Sequence, residues 1–184
     1  MEDLEQLQDR FHSMKPNEDY HDEAGARRAC LLALQALREG SYGVGAVIVD
    51  ADNTILAEGY NRVFSNGFHT ARHAEMEALD ELERNCPYIS DRSSLKLLVT
   101  LEPCPMCFSR SLMSGIGEVR FLCADPDGGM ANRCGHLPPT WRNLAQLQQQ
   151  RVAHCSEPLK CLARDLAQAN LPQLRQQLML HIRG

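Results

Sequence analysis

Hydrophobic residues recur along this chain with two different periods, and the change between them predicts alternating helices and strands. Near the start they stand three and four residues apart, at Leu4, Leu7, Phe11 and Met14. This spacing puts them on one face of a helix, so residues 1–14 are predicted to form a short amphipathic helix. A second helix is predicted from about residue 18 to residue 39, and Gly40 is its expected stop.

The middle of the chain carries short β-branched runs separated by helical spacing. Strands are predicted at residues 44–50, 54–60, 95–101, 119–123 and 152–153. Helices are predicted between them at residues 73–85 and 105–115, and residues 125–140, which are rich in Gly and Pro, are predicted to form a loop. A strand pair followed by alternating helices and strands is typical of a three-layer α/β domain.

The length of 184 residues suits a single domain. We place its core at about residues 18–130, with the helix at 1–14 before it. A C-terminal helical extension is expected at 141–184. Asn170 and Pro172 separate two amphipathic helices within it.

Composition and charge narrow the class of protein. Hydrophobic residues make up 43% of the chain, yet no apolar run approaches the ~20 residues of a membrane span. The net charge of −5 gives no electrostatic reason to expect a nucleic-acid partner. Eight cysteines occur without a secretory signal, so we expect reduced or metal-bound thiols and a cytoplasmic location.

Three residues form a candidate zinc site. Cys104 and Cys107 are three apart, so one helical turn can direct both thiols at one ion. His73 begins a different predicted helix, and the positive ends of the two helices favour thiolate. Zinc takes nitrogen and sulfur ligands, and catalytic sites leave one position for water. We therefore predict one Zn²⁺ per chain, held by His73, Cys104 and Cys107.

Glu75 follows His73 by two residues and is the predicted catalytic residue. A carboxylate there reaches a zinc-bound water, whose pKa the metal lowers to about 7, without ligating the ion. It can take a proton from that water and pass it to a leaving amine. The predicted reaction is hydrolytic deamination, in which oxygen replaces an exocyclic amino group and ammonia is released.

The order His-x-Glu, then Pro-Cys-x-x-Cys about thirty residues later, resembles the signature of zinc-dependent deaminases. Residues 20–130 resemble the cytidine deaminase-like superfamily. Residues 100–107 (Thr-Leu-Glu-Pro-Cys-Pro-Met-Cys) resemble most the corresponding motif of its tRNA adenosine, guanine and cytosine deaminases. The resemblance implies a three-layer α/β/α fold with a mixed five-stranded sheet. It also implies a homodimer with residues near the site at its interface.

The same resemblance implies substrate contacts. Asn61 stands where that branch has an asparagine that hydrogen-bonds the base, although an asparagine there can also cap a turn. Phe68 is a candidate for stacking on a base, and His69 for lining the pocket entrance or simply lying in the loop. Ala74, between His73 and Glu75, completes the predicted set of contacts.

The residues leave the substrate open. Residues 69–72 are His-Thr-Ala-Arg, where purine-type members often carry Asp-Pro-Thr, and Glu77 stands where the deoxycytidylate type usually has Asn. The favoured substrate is a nucleobase, nucleoside or related small aminated heterocycle, guanine among them. The alternatives are a tRNA adenosine-to-inosine deaminase and a non-catalytic zinc-stabilised binding module. Cys134 and His136 suggest a second metal site, for which chance spacing is the alternative.

Overall fold

A five-stranded mixed sheet lies at the centre of the protein. The structure is a computed structural model, and it describes residues 2–183. The strands are β1 (Gly45–Val49), β2 (Ile55–Tyr60), β3 (Lys96–Leu101), β4 (Glu118–Cys123) and β5 (Gln149–Val152). The helices are α1 (Leu4–Ser13), α2 (Glu23–Arg38), α3 (Ala74–Asn85), α4 (Pro105–Met113), α5 (Pro139–Ala145), α6 (Glu157–Gln168) and α7 (Leu171–Arg183). A 3₁₀ turn at Cys134–His136 precedes α5.

The strand directions bring several connections to one edge of the sheet. The order is β2-β1-β3-β4-β5, in which β1 is antiparallel to both β2 and β3, while β3, β4 and β5 are parallel. Gly45 at the start of β1 pairs with Tyr60 at the end of β2, and Ala46 pairs with Val99 of β3. The end of β2, the start of β1 and the ends of β3 and β4 therefore share one edge.

Helices cover both faces of the sheet, as the resemblance implied. One core cluster joins α1, α2 and α6 to side chains of β1, β3 and β4 such as Val47, Leu98 and Leu122. The other joins α3 to the opposite face through Ala46, Ile48 and neighbouring apolar residues. Every residue of β1 is buried, since this strand has layers on both sides. The predicted three-layer α/β/α fold with a mixed five-stranded sheet is confirmed.

Local boundaries differ from the predictions in the C-terminal third. The fifth strand covers Gln149–Val152 instead of 152–153, and α5 begins within the predicted loop. β5 is an edge strand whose residues are mostly exposed. Because few of its residues are apolar, the hydrophobic pattern covers only part of the strand. The helix α6 buries Leu159, Leu162 and Leu166 in the core, so the C-terminal part contributes to the same core as the sheet.

Helix α7 has a different environment from α6. Its one buried residue, Leu174, packs with Val63 and Phe64 in a small cluster apart from the two main cores. Partly buried Leu178 contacts the same cluster. This helix is therefore attached to the segment that follows β2. Within residues 2–183, no helix combines the length and apolar character needed to cross a membrane.

Candidate active site

Two helix N-termini meet at the edge of the sheet and carry the predicted zinc ligands. His73 is the N-cap of α3 and Cys104 is the N-cap of α4, with Cys107 in the first turn of α4. Pro105 stands at the first position of α4, where a missing N–H costs nothing. Gly59 allows α3 to lie directly on β2, because a Cβ there would be 2.2 Å from the Ala74 carbonyl oxygen.

The three predicted ligands come together as expected. Ligand atoms of His73, Cys104 and Cys107 all lie within 4.8 Å of one another, and Cys104 Sγ is 3.7 Å from His73 Nδ1. A tetrahedral zinc, with bonds of about 2.0–2.3 Å, holds its ligand atoms roughly 3–4 Å apart. The donor set of one imidazole and two thiols therefore fits zinc. This is the one such group of three among residues 2–183, and it leaves a fourth position for water.

The two thiols differ in acidity. The hydrogen bond with Cys107, helped by the nearby His73, lowers the pKa of Cys104 to about 4 despite opposing burial. The same hydrogen bond and burial raise the pKa of Cys107 well above its ordinary value. Cys104 therefore gives up its proton more readily than Cys107 does. Zinc, when bound, would hold both as thiolates, because a coordinating thiol is deprotonated.

Glu75 lies beside the ligands in the first turn of α3, with only 4% of its surface exposed. Burial raises the pKa of its carboxyl above the ordinary value, while the nearby His73 lowers it in part. A carboxyl with a raised pKa carries a proton readily near neutral pH. Glu75 is therefore placed to give and take a proton next to the metal position.

A cavity of about 830 Å³ opens from this group toward solvent. Its inner end is lined by His73, Glu75 and Cys104, and the segment after β2 contributes Asn61 and Phe68 to its wall. Its outer part is lined by α6 and α7, which contribute three cationic side chains, Lys160, Arg164 and Arg175. Small-molecule sites span about 300–1,000 Å³, so this cavity has room for more than a bare ring.

The four predicted substrate contacts are placed differently. Asn61 and Phe68 line the cavity, Phe68 with its ring centroid 5.7 Å from that of Phe64 and 4.2 Å from that of His181. His69 is exposed in the loop and is not part of the cavity lining. Ala74, the first residue of α3, is fully buried in the core cluster that joins this helix to the sheet. Only Asn61 and Phe68 are thus positioned to contact a bound ring through their side chains.

Glu102 and the predicted second metal site at Cys134 and His136 have local roles. Glu102 is buried, and its carboxylate accepts hydrogen bonds from the backbone N–H groups of Asp125 and Ala131 at 3.0 and 2.9 Å. It therefore holds the loop after β4 against the end of β3. Cys134 hydrogen-bonds the Ala131 carbonyl within the 3₁₀ turn, and His136 is exposed. None of these three residues belongs to the metal-ligating group found in residues 2–183.

Sequence reasoning missed the residues that follow α2 and those of α7. Ser41 hydrogen-bonds Asn61, and Tyr42 and Val44 line the cavity, although nothing in their spacing marks them. Arg175 and Leu178 reach the cavity from α7. The only signal for the first group was the helix stop at Gly40, which places the next residues near the sheet edge.

Comparisons with known proteins agree with this geometry. A family model described as the cytidine and deoxycytidylate deaminase zinc-binding region matches residues 19–123. The chain is 33% identical to a tRNA-specific adenosine deaminase of Bacillus subtilis over 138 residues, which cover 74% of this chain and 77% of that protein. It is 40% identical to a tRNA(Ile)-lysidine synthase of Deinococcus radiodurans over 108 residues, 58% of this chain but only 18% of that protein.

Solved structures share the fold. A structure from a study of A-to-I editing by tRNA:A34 deaminases superposes with a TM-score of 0.55 and 26% identity, covering 63% of this chain and 89% of that chain. A guanine deaminase from Nitrosomonas europaea superposes with a TM-score of 0.61 and 20% identity, covering 84% of this chain and 89% of that chain. At 20% identity the second likeness concerns the fold alone.

Proposed function

The chain belongs to the family defined by the zinc-binding region of cytidine and deoxycytidylate deaminases, and we propose that it deaminates a small aminated heterocycle. The substrate would be a nucleobase, a nucleoside or a related ring. The exocyclic C–N bond breaks, a C–O bond forms to the oxygen of water, and the amino group leaves as ammonia. Zinc, when bound by His73, Cys104 and Cys107, supplies a water of lowered pKa and polarises the reacting centre.

Glu75 carries this proposal. Its carboxyl is buried beside the three ligands, lines the inner end of the cavity and has a raised pKa. In the proposed reaction it takes a proton from water and delivers it to the departing nitrogen, so that it ends in its starting state. Asn61 and Phe68 hold the ring, one by hydrogen bonding and the other by stacking.

A non-catalytic zinc module explains the same residues less well. A structural zinc site takes four protein ligands, whereas the group found in residues 2–183 has three. Burying a carboxyl without a structural partner is unfavourable, so a purely structural centre has no use for Glu75 at this position. The opening toward an 830 Å³ cavity likewise serves a reacting molecule rather than a closed site.

Deamination of adenosine in tRNA is the second candidate. It is supported by the relatives named tRNA-specific adenosine deaminase, including one from Haemophilus influenzae at 39% identity over 104 residues. Against it stand the net charge of −5 and the cavity lining, in which five acidic side chains outnumber three cationic ones, because RNA binding depends on neutralising phosphates. The favoured substrate is therefore the small molecule.

We also propose a cytoplasmic homodimer. All eight cysteines are free, as expected for a reducing compartment. Met106 and Met113 are 37% and 68% exposed on α4, the helix that carries two zinc ligands, and they supply an apolar surface for a second copy. Sedimentation of the pure protein tests this: a monomer at micromolar concentration would contradict the dimer.

A substrate panel tests the proposed function. The zinc-loaded protein is incubated with guanine, cytosine, adenosine, 2,6-diaminopurine and unmodified tRNA, and ammonia is measured. Release from at least one free base or nucleoside is expected. Release from tRNA alone would replace the favoured function by the second candidate. Ammonia from none of these, with four protein ligands on the zinc, would establish the non-catalytic module.

A further inference from the structure

Asn61 is held by three independent contacts at the end of β2. Its backbone N–H donates to the Val44 carbonyl at 2.9 Å, which continues the hairpin by one residue. Its side-chain oxygen Oδ1 accepts from Ser41 Oγ at 2.7 Å and from the Val63 backbone N–H at 3.1 Å. Only 3% of the residue is exposed. Both the position and the rotation of this side chain are therefore determined.

The orientation of the amide follows from the donors around it. A backbone N–H can only donate, so the Asn61 atom that faces Val63 must be the oxygen. The Ser41 hydroxyl accepts the Phe64 backbone N–H at 3.2 Å, and its own hydrogen is directed to the same Asn61 oxygen. If the amide were turned over, its NH₂ group would face the Val63 N–H, leaving two donors opposed. Both hydrogen bonds that the Asn61 side-chain oxygen accepts therefore come from the protein itself.

Ser41 owes its position to the end of α2. Gly40 has φ +74°, and its N–H donates to the Leu37 carbonyl, while the Ser41 N–H donates to the Ala36 carbonyl at 2.9 Å. These two bonds form the glycine-based C-terminal cap that satisfies the last carbonyls of a helix. Ser41 is fully buried. The C-terminal cap of α2 therefore places the Ser41 hydroxyl in hydrogen-bonding contact with Asn61.

We infer that Ser41 is a positioning residue that fixes Asn61 as a hydrogen-bond donor toward the cavity, so that the substrate is a heterocycle presenting an acceptor to it. The amide nitrogen is the polar atom of Asn61 that remains for a ligand, and it carries two hydrogens. A ring carbonyl oxygen or an unprotonated ring nitrogen pairs with it. A ring that presents N–H or C–H at this point leaves the donor unpaired. This inference rests on the proposed function and narrows its substrate class.

The expected discrimination is that of one buried hydrogen bond. Replacing the acceptor by C–H leaves the Asn61 NH₂ unsatisfied, which weakens binding on the order of 10- to 100-fold. The test compares cytosine, guanine and adenosine with their deaza analogues, in which one ring nitrogen acceptor is replaced by C–H. The ratio of kcat/KM between each substrate and its analogue is measured, together with KM and kcat separately.

Three variants show whether the ratio of kcat/KM between substrate and deaza analogue depends on Ser41 and Asn61. Ser41→Ala removes the hydroxyl and should lower the ratio for one ring position about tenfold, mainly through KM. Asn61→Asp keeps the shape and replaces the donor by an acceptor, so the ratio should fall to about one or below. Ser111→Ala is the matched control, because Ser111 is equally buried but hydrogen-bonds Phe108 and Gln148 instead of Asn61. It should lower the melting temperature without moving the ratio.

The outcomes separate this inference from the proposed function. If Ser41→Ala keeps the wild-type ratio, or if Ser111→Ala lowers it equally, Ser41 does not set the polarity and the inference is wrong. If no ring releases ammonia, the proposed function fails, and calorimetric binding of the same ring pairs to the zinc-loaded protein still tests the polarity. If none of those rings binds at all, both the function and the inference are overturned.

Discussion

The two ends of the cavity are built in different ways. The inner end is carried by α3 and α4, whose first turns bring the predicted zinc ligands together. The outer end is formed by the segment after β2 and by α7, which meet in a cluster with only Val63, Phe64 and Leu174 buried. The first arrangement is part of the main core, and the second is attached beside it. The chemistry is thus fixed by the fold, while the ring is selected by a separate, smaller set of contacts.

Removal of the metal should have the largest effect at the inner end. Treating the protein with a strong chelator should abolish ammonia release, since three donors without an ion offer no activated water. Adding Zn²⁺ should restore activity, and adding Mg²⁺ should not. Imidazole and thiolate ligands bind zinc well and bind a hard cation such as Mg²⁺ poorly. Metal content is measured alongside activity. Full activity in protein shown to be free of zinc would contradict the metal's role.

Glu75→Gln should have the next largest effect. The amide keeps the size of the side chain but transfers no proton, so kcat should fall about 10²- to 10⁴-fold while zinc content stays the same. Glu77→Gln is the matched control, two residues further along α3. Its carboxylate pairs with Arg72 at 2.7 Å and does not line the cavity. Equal losses in the two variants would argue against a proton-transfer role specific to Glu75.

The grouping of the three predicted zinc ligands could be predicted from the sequence for a physical reason. Zinc chemistry demands specific residue types at short, fixed spacings, so His73, Glu75, Cys104 and Cys107 are visible without a structure. The helices and strands that carry them have clear hydrophobic periods. Their predicted boundaries lie within a few residues of those observed, apart from the longer lead-in predicted for α2.

The outer end was not predictable in the same way. Ser41 is recognisable only once the cap of α2 and the end of β2 are seen to meet, because the two are twenty residues apart in sequence. The apolar pattern of α7 predicts a helix, but not that Leu174 packs on the segment after β2. Likewise, the sequence of α6 does not predict that Lys160 and Arg164 line the cavity, because this depends on how α6 packs against the sheet.

Asp22 tests how strongly a buried ion-pair cluster ties the start of α2 to the sheet, away from the site. Its carboxylate has no exposed surface, and it pairs with Lys96 of β3 at 2.8 Å and Arg120 of β4 at 2.6 Å. Burial alone raises the pKa of Asp22, but these hydrogen bonds and that of the His154 N–H outweigh it and lower the pKa below 3.8. Asp22→Asn should cost about 3 kcal/mol of unfolding free energy, since it removes the carboxylate partner of Lys96 and leaves Arg120 with Glu118 alone.

The pH dependence of that difference has a definite sign. Because the folded-state pKa of Asp22 is depressed, its contribution is fully present above the unfolded value of 3.8 and is lost as the pH falls through the folded value. Urea unfolding of both proteins should therefore show a constant difference from pH 5 to 8 and a smaller one below 3.8. A difference that grows on acidification would contradict the assignment. Ammonia release at neutral pH should persist in the variant.

Truncating one leucine in the main core and one in the cluster under α7 should have the smallest effects on activity. Leu162→Ala opens the main core and should cost about 2–5 kcal/mol of unfolding free energy with little change in KM. Leu174→Ala loosens α7, whose cluster has few other members, and should cost roughly 2 kcal/mol or less while raising KM several-fold. Urea unfolding and steady-state kinetics measure both. If Leu174→Ala destabilises the protein as much as Leu162→Ala and leaves KM unchanged, α7 belongs to the core instead of the substrate wall, and the two ends of the cavity are not independent.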